Sequence, residues 1–99
     1  MTPIQVASLL KEATGSVINE CEHLAGGASD RWFCRIGGKI AERHGQKTLI
    51  CMGVDPALWE MIDSFLRNRE FLSACGIPVP EAYAEFAEHG IALIEDLGD

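Results

Sequence analysis

Between Asp55 and Gly76 the sequence runs DPALWEMIDSFLRNREFLSACG, in which Leu58, Met61, Ile62, Phe65, Leu66, Phe71 and Leu72 return at the helical spacings of three and four. Asp55 supplies an N-cap and Pro56 a first-turn proline, so the start is marked twice. Gly76 closes the run, and Pro78 and Pro80 forbid its continuation. The spacing therefore predicts one amphipathic helix from about residue 56 to 75. The other segments must be arranged around it.

Thr2-Pro3 repeats the same start signal, with Ile4, Ala7, Leu10 and Ala13 expected on one face of a first helix and Gly15 as its stop. Strands are expected over residues 17–24, 32–36, 48–52, 83–87 and 91–95, rich in β-branched, aromatic and apolar residues. Gly26-Gly27 breaks the first two apart, and His89-Gly90 marks a turn between the last two. Residues 37–46, polar with glycines near both ends, are expected to be a loop. The order is helix, three strands, helix, two strands. Short links between consecutive strands predict antiparallel pairing and an α+β fold: a sheet of about five strands, one long packed helix and an N-terminal helix.

Ninety-nine residues make one domain, able to bury roughly two thirds of its unfolded surface. The formal charge of −7 argues against a nucleic-acid surface, which needs clustered Lys and Arg. No window reaches the roughly 18 apolar residues of a membrane span, and MTPIQVASLLKEATG lacks the basic and apolar regions of a signal peptide. A cytoplasmic location is expected. Cys21, Cys34, Cys51 and Cys75 show no CxxC pairing and are expected to be buried, reduced thiols rather than zinc ligands. His23, His44 and His89 are isolated and expected at the surface or at hairpin ends.

The stretch LAGGASDRWFCRI, residues 24–36, raises the question of phosphate binding. It lacks the lysine and the following helix of a P-loop, and the spacing of a dinucleotide fingerprint. What remains is a glycine turn between antiparallel strands, either a plain hairpin or a cover for nucleotide phosphates. Three stretches carry a resemblance that bears on the choice: GGASDRWFCR, NREFLSACGIPVP and the terminal IALIEDLGD. From about Leu24 to Asp99 the chain resembles the N-terminal lobe of the aminoglycoside phosphotransferase and choline kinase family. It is most similar to the bacterial branch of cell-wall amino-sugar kinases, whose AS-x-R-x-x-x-R pattern is matched by Ala28, Ser29, Arg31 and Arg35.

The resemblance implies a protein-kinase-like small lobe that binds ATP with Mg²⁺. Gly26, Gly27, Ala28, Ser29, Asp30 and Arg31 would form the phosphate loop. Glu70 would be the helix glutamate that orients a cation near the phosphates. Glu95, Asp96 and Leu97 would lie at the hinge that meets the adenine. The family's third-strand lysine is absent from TLICMG, where Cys51 or Met52 stands instead, and Arg35 is the expected replacement, reaching both a phosphate and Glu70. Glu70 and Arg35 also suit plain surface roles, and Glu95-Asp96 a polar chain end. The family's catalytic aspartate and second metal-binding acid belong to a C-terminal lobe. That lobe is expected to be absent here, since the sequence stops at Asp99. The implied function is nucleotide binding for an ATP-dependent kinase of sugars or amino alcohols, not competent alone. The alternative is a non-catalytic relic that associates with itself or a partner through an exposed cleft face around Leu93 and Leu97.

Overall fold

The computed structural model describes residues 3–24 and 31–98. Helix α1 spans Pro3–Thr14, strand β1 Ile18–Leu24, strand β2 Arg31–Gly38, helix α2 Lys39–Glu42 and strand β3 Thr48–Val54. A 3₁₀ turn, Pro56–Leu58, leads into helix α3, Trp59–Ala74; strands β4, Ala82–Phe86, and β5, Ile91–Glu95, follow. All five strands join one antiparallel sheet in the order β1-β2-β3-β5-β4. The α+β architecture expected from the sequence is the one observed. No helix among the described residues is long and apolar enough to cross a membrane.

Helices pack on both faces of the sheet. On one face Cys34, Ile36, Leu49, Cys51, Ile91 and Leu93 pack with Val6 and Leu10 of α1 and Ile40 and Ala41 of α2. On the other, Met52, Val54, Ala92 and Ile94 pack with Ile62 and Leu66 of α3. Period-two alternation along β3 and β5 thus feeds two cores at once, which is why those strands read as continuous apolar runs. Leu49, Ile62, Leu66, Ile91 and Leu93 are essentially inaccessible, and each such side chain contributes about 1.5–3 kcal/mol by leaving water.

Two expectations are corrected. In α1 the buried stripe is Val6 and Leu10, with Leu9 and Ala13 partly packed, while Ile4 is 80 % exposed. Positions 6, 9, 10 and 13 satisfy the i, i+3, i+4, i+7 pattern, and Ile4 falls outside it. Residues 37–46 are not all loop: β2 runs on to Gly38, and α2 then inserts Ile40 and Ala41 into the core. One helical turn is too short to leave a periodic signal.

The α3 start follows its cap, since the Asp55 carboxylate accepts from the Ala57 N–H at 2.9 Å. At its end the Ile77 N–H donates to the Leu72 carbonyl at 3.0 Å. Two glycines are fixed by crowding. A Cβ at Gly53 would collide with the Trp32 indole that lies across it, and one at Gly90, whose φ is +71°, would collide with the Val54 carbonyl. Gly90 also accepts from the Val54 N–H at 2.8 Å, tying the β4–β5 turn to the end of β3.

Candidate functional site

Of the residues expected to form the phosphate loop, Gly26, Gly27, Ala28, Ser29 and Asp30 lie outside the described residues. Their flanks are clear: Leu24 pairs with Phe33, so residues 25–30 link two antiparallel strands. Arg31 opens β2 opposite Val54, and its Nε is buried without a hydrogen-bond partner. It shares the α3-covered face of the sheet with Phe33, Arg35, Ile50 and Met52, because these alternate along paired strands.

Arg35 and Asp96 meet at the other end of that face. Arg35 Nε donates to Asp96 Oδ2 at 2.6 Å and Nη2 to Oδ1 at 3.3 Å, a two-pronged pair. The Thr48 hydroxyl donates to Oδ2 at 2.7 Å and the Gly98 N–H to Oδ1 at 2.9 Å. Arg35 Nη1 also lies 3.8 Å from Glu22. The Asp96 side chain is 8 % exposed and that of Arg35 20 %. The Arg35 hydrogen bond is the first cause, with Thr48 and Gly98 adding to it against the cost of burial, and together they bring the carboxyl down to about 2. One carboxylate thus joins β2, β3 and the chain leaving β5.

This arrangement corrects the expected Arg35–Glu70 pairing. Glu70 is exposed and accepts from Arg67 Nη1 at 2.9 Å, while Arg67 also reaches Glu85 at 3.1 Å and Asp63 at 3.5 Å. The helical stripe gives the reason. Arg69, three residues after Leu66 and seven after Ile62, takes the inward position and donates to the Pro80 carbonyl at 3.3 Å; Glu70 turns to the flank. Arg35, four residues into β2, is also about 13 Å along the strand from Arg31. The cation expected beside the phosphates is therefore anchored instead at the end of the sheet where the chain leaves β5.

Glu95 points to the opposite face from Asp96. Its Oε1 accepts from the Glu81 N–H at 3.1 Å, and its own N–H donates to the Glu81 carbonyl at 2.8 Å. Leu97 is 66 % exposed. Leu93, expected to share an exposed patch with it, is buried in the sheet.

Thr48 and Glu22, the further partners of the Arg35–Asp96 pair, do not stand out in the sequence. Register alone reveals them, because Arg35 stands opposite Glu22 and Thr48 lies one step beyond Leu49, which faces Glu95. The thiols divide. Cys34 and Cys51 are buried, Cys21 is half-buried, and Cys75 is exposed at the end of α3, against expectation, because it follows the last inward turn. Burial pushes Cys34 up to about 12 and raises Cys21 and Cys51 as well. His23 Nδ1 lies 3.6 Å from Cys34 Sγ, His44 stacks on Tyr83 with ring centroids 4.7 Å apart, and His89 ends the 3₁₀ turn Ala87–His89.

Among the described residues no group of three or more His, Cys, Asp or Glu could hold a metal ion. Glu70, which the resemblance assigns to orienting a cation near the phosphates, is engaged by Arg67 instead. No protein-family model, no curated protein and no solved structure matches the chain.

Proposed function

We propose that these residues form the nucleotide-binding lobe of an ATP-dependent phosphotransferase acting on a hydroxyl of a sugar or amino alcohol, and that they do not transfer the phosphoryl group alone. One observation carries the reading. The sheet order β1-β2-β3-β5-β4, with α3 crossing over one face, sets the β1–β2 link at one end of that face and the chain leaving β5 at the other. A nucleotide bound along this face would meet backbone donors of the glycine-containing link at its phosphates and the segment after β5 at its base.

Between those ends lie Phe33 and Ile50, only partly buried and apolar enough to hold a planar ring. Arg31 is the cation nearest the link in sequence and register. Its unpartnered Nε–H favours an incoming phosphate oxygen, since an unmet buried donor costs about 1–3 kcal/mol. Arg35 and Asp96 act as a brace that holds the hinge end. The described carboxylates do not cluster into a Mg²⁺ site.

The test is binding of a non-hydrolysable ATP analogue with Mg²⁺, read by calorimetry on the 99-residue chain. Saturable binding that weakens on Arg31→Ala is expected; heat no larger than dilution at millimolar analogue contradicts the reading.

A second reading, self-association without catalysis, draws support from Phe71, Ile77 and Leu97, which are 68 %, 48 % and 66 % exposed. Light scattering across a concentration series separates the two: a strictly monomeric chain counts against association.

A further inference from the structure

Cys21 of β1, Cys34 of β2 and Cys51 of β3 lie on the α1-covered face of the sheet, away from the proposed nucleotide face. Register sets Cys21 opposite Ile36 and His23 opposite Cys34, so Cys21 and Cys34 are diagonal neighbours on adjacent strands. Their thiols are hydrogen-bonded to each other, and His23 Nδ1 lies 3.6 Å from Cys34 Sγ. Cys21 is half-buried, whereas Cys34 and Cys51 are inaccessible. One thiol of a touching pair therefore meets solvent, while the other lies behind it with an imidazole alongside. Burial raises both thiols, but their shared hydrogen bond pulls Cys21 back down and pushes Cys34 further up. Cys21 is thus the member that ionises and attacks first.

We propose that Cys21 and Cys34 form a dithiol that a low-molecular-weight disulfide, oxidised glutathione, converts to a disulfide, with His23 taking the proton of Cys34. In the first step Cys21 loses its proton to solvent and its thiolate attacks one sulfur of oxidised glutathione. A mixed disulfide forms and one glutathione thiolate leaves. In the second step Cys34 gives its proton to His23 Nδ1, and its sulfur attacks that of Cys21 to release the second glutathione. Two protein thiols are oxidised and one disulfide is reduced to two thiols, which recover the two protons. Because the sheet holds both sulfurs together, the second step outruns capture of another glutathione. A bridge between diagonal positions requires the two Cα atoms to come within about 7 Å. As an edge strand, β1 can shift to meet this without parting from a second neighbour. Cys51 stands directly opposite Cys34, but its burial closes it to an oxidant. The proposal does not rest on the nucleotide reading.

The experiment incubates the folded chain with oxidised glutathione, alkylates the remaining thiols in denaturant and identifies the tryptic peptides by mass. Cleavage after Lys11, Arg31, Arg35, Lys47, Arg67 and Arg69 puts each cysteine on its own peptide: residues 12–31, 32–35, 48–67 and 70–99. The expected product joins peptides 12–31 and 32–35. Peptide 48–67 should be alkylated, and 70–99 should carry glutathione because Cys75 is exposed. Cys21→Ser should leave peptide 32–35 alkylated. His23→Ala should slow closure about tenfold or more, so that glutathione accumulates on peptide 12–31. Absence of the cross-link, a link from 32–35 to 48–67 instead, or oxidation of Cys51 as fast as that of Cys21 would each overturn the proposal. Closure as fast in His23→Ala as in the native chain would overturn the role given to His23.

Discussion

Asp96 holds Arg35 at 2.6 Å at the end of the sheet where the chain leaves β5, although the two residues are 61 positions apart in the chain. The pair ties β2 to the segment after β5, and its near-burial gives it weight that a surface ion pair lacks.

That tie makes stability depend on pH in a defined window. The folded Asp96 carboxyl titrates near 2, below its ordinary 3.8. Its contribution is therefore complete above the unfolded value and is lost as pH falls from about 5 to about 2. Over that range the native chain should lose on the order of 2 kcal/mol more than Asp96→Asn. Urea unfolding at pH 7 and pH 3 checks this, with about 1 kcal/mol of the difference already expected at pH 3; equal losses in the two chains would contradict it.

Arg35→Lys should not rescue the brace. An ammonium cannot reproduce the two-pronged contact, so about 1–3 kcal/mol of stability should go, close to the loss in Arg35→Ala. Thermal midpoints of the three chains measure it, and a lysine variant as stable as the native chain would show that charge alone suffices.

Leu66→Ala should cost about 2–5 kcal/mol, because Leu66 is 1 % exposed between α3 and the sheet. Phe71→Ala, five residues on but 68 % exposed, should cost about 0.5 kcal/mol or less. Denaturant unfolding of both variants tests how α3 is seated.

Gly53→Ala should be as damaging as a core truncation despite adding only a methyl group, since that methyl meets the Trp32 ring. The double variant with Trp32→Ala should recover part of the loss attributable to the clash. Near-ultraviolet circular dichroism and unfolding curves report both.

Cys75 should react with a thiol reagent at neutral pH before the other three cysteines. It is exposed, whereas Cys34 and Cys51 are buried with their thiols held protonated. Mass spectrometry after a short exposure should find one modification per chain, and rapid labelling of Cys34 in the native state would contradict the packing.

The sheet and the long helix were legible because their signals are local: capped periodicity around Asp55-Pro56 and apolar runs between glycines. Helix α2 was not, since Ile40 and Ala41 give one turn of apolar character inside a polar stretch. The candidate site divides in the same way. Arg35 and Asp96 could each be picked out by type and position, but their pairing depends on strand register, which no short window contains. The resemblance gives Glu70 the role of orienting a cation near the phosphates, whereas the helix turns Arg69 toward the sheet side because Ile62 and Leu66 set the buried stripe.

The most direct test of the proposed nucleotide lobe is an amide-shift map of the labelled chain with a non-hydrolysable ATP analogue and Mg²⁺. Saturable shifts along Arg31–Arg35, Thr48–Met52 and residues 94–98, with α1 and α2 unmoved, are the expected result. Shifts confined to the α1–α2 side, or none at saturating analogue, would contradict it.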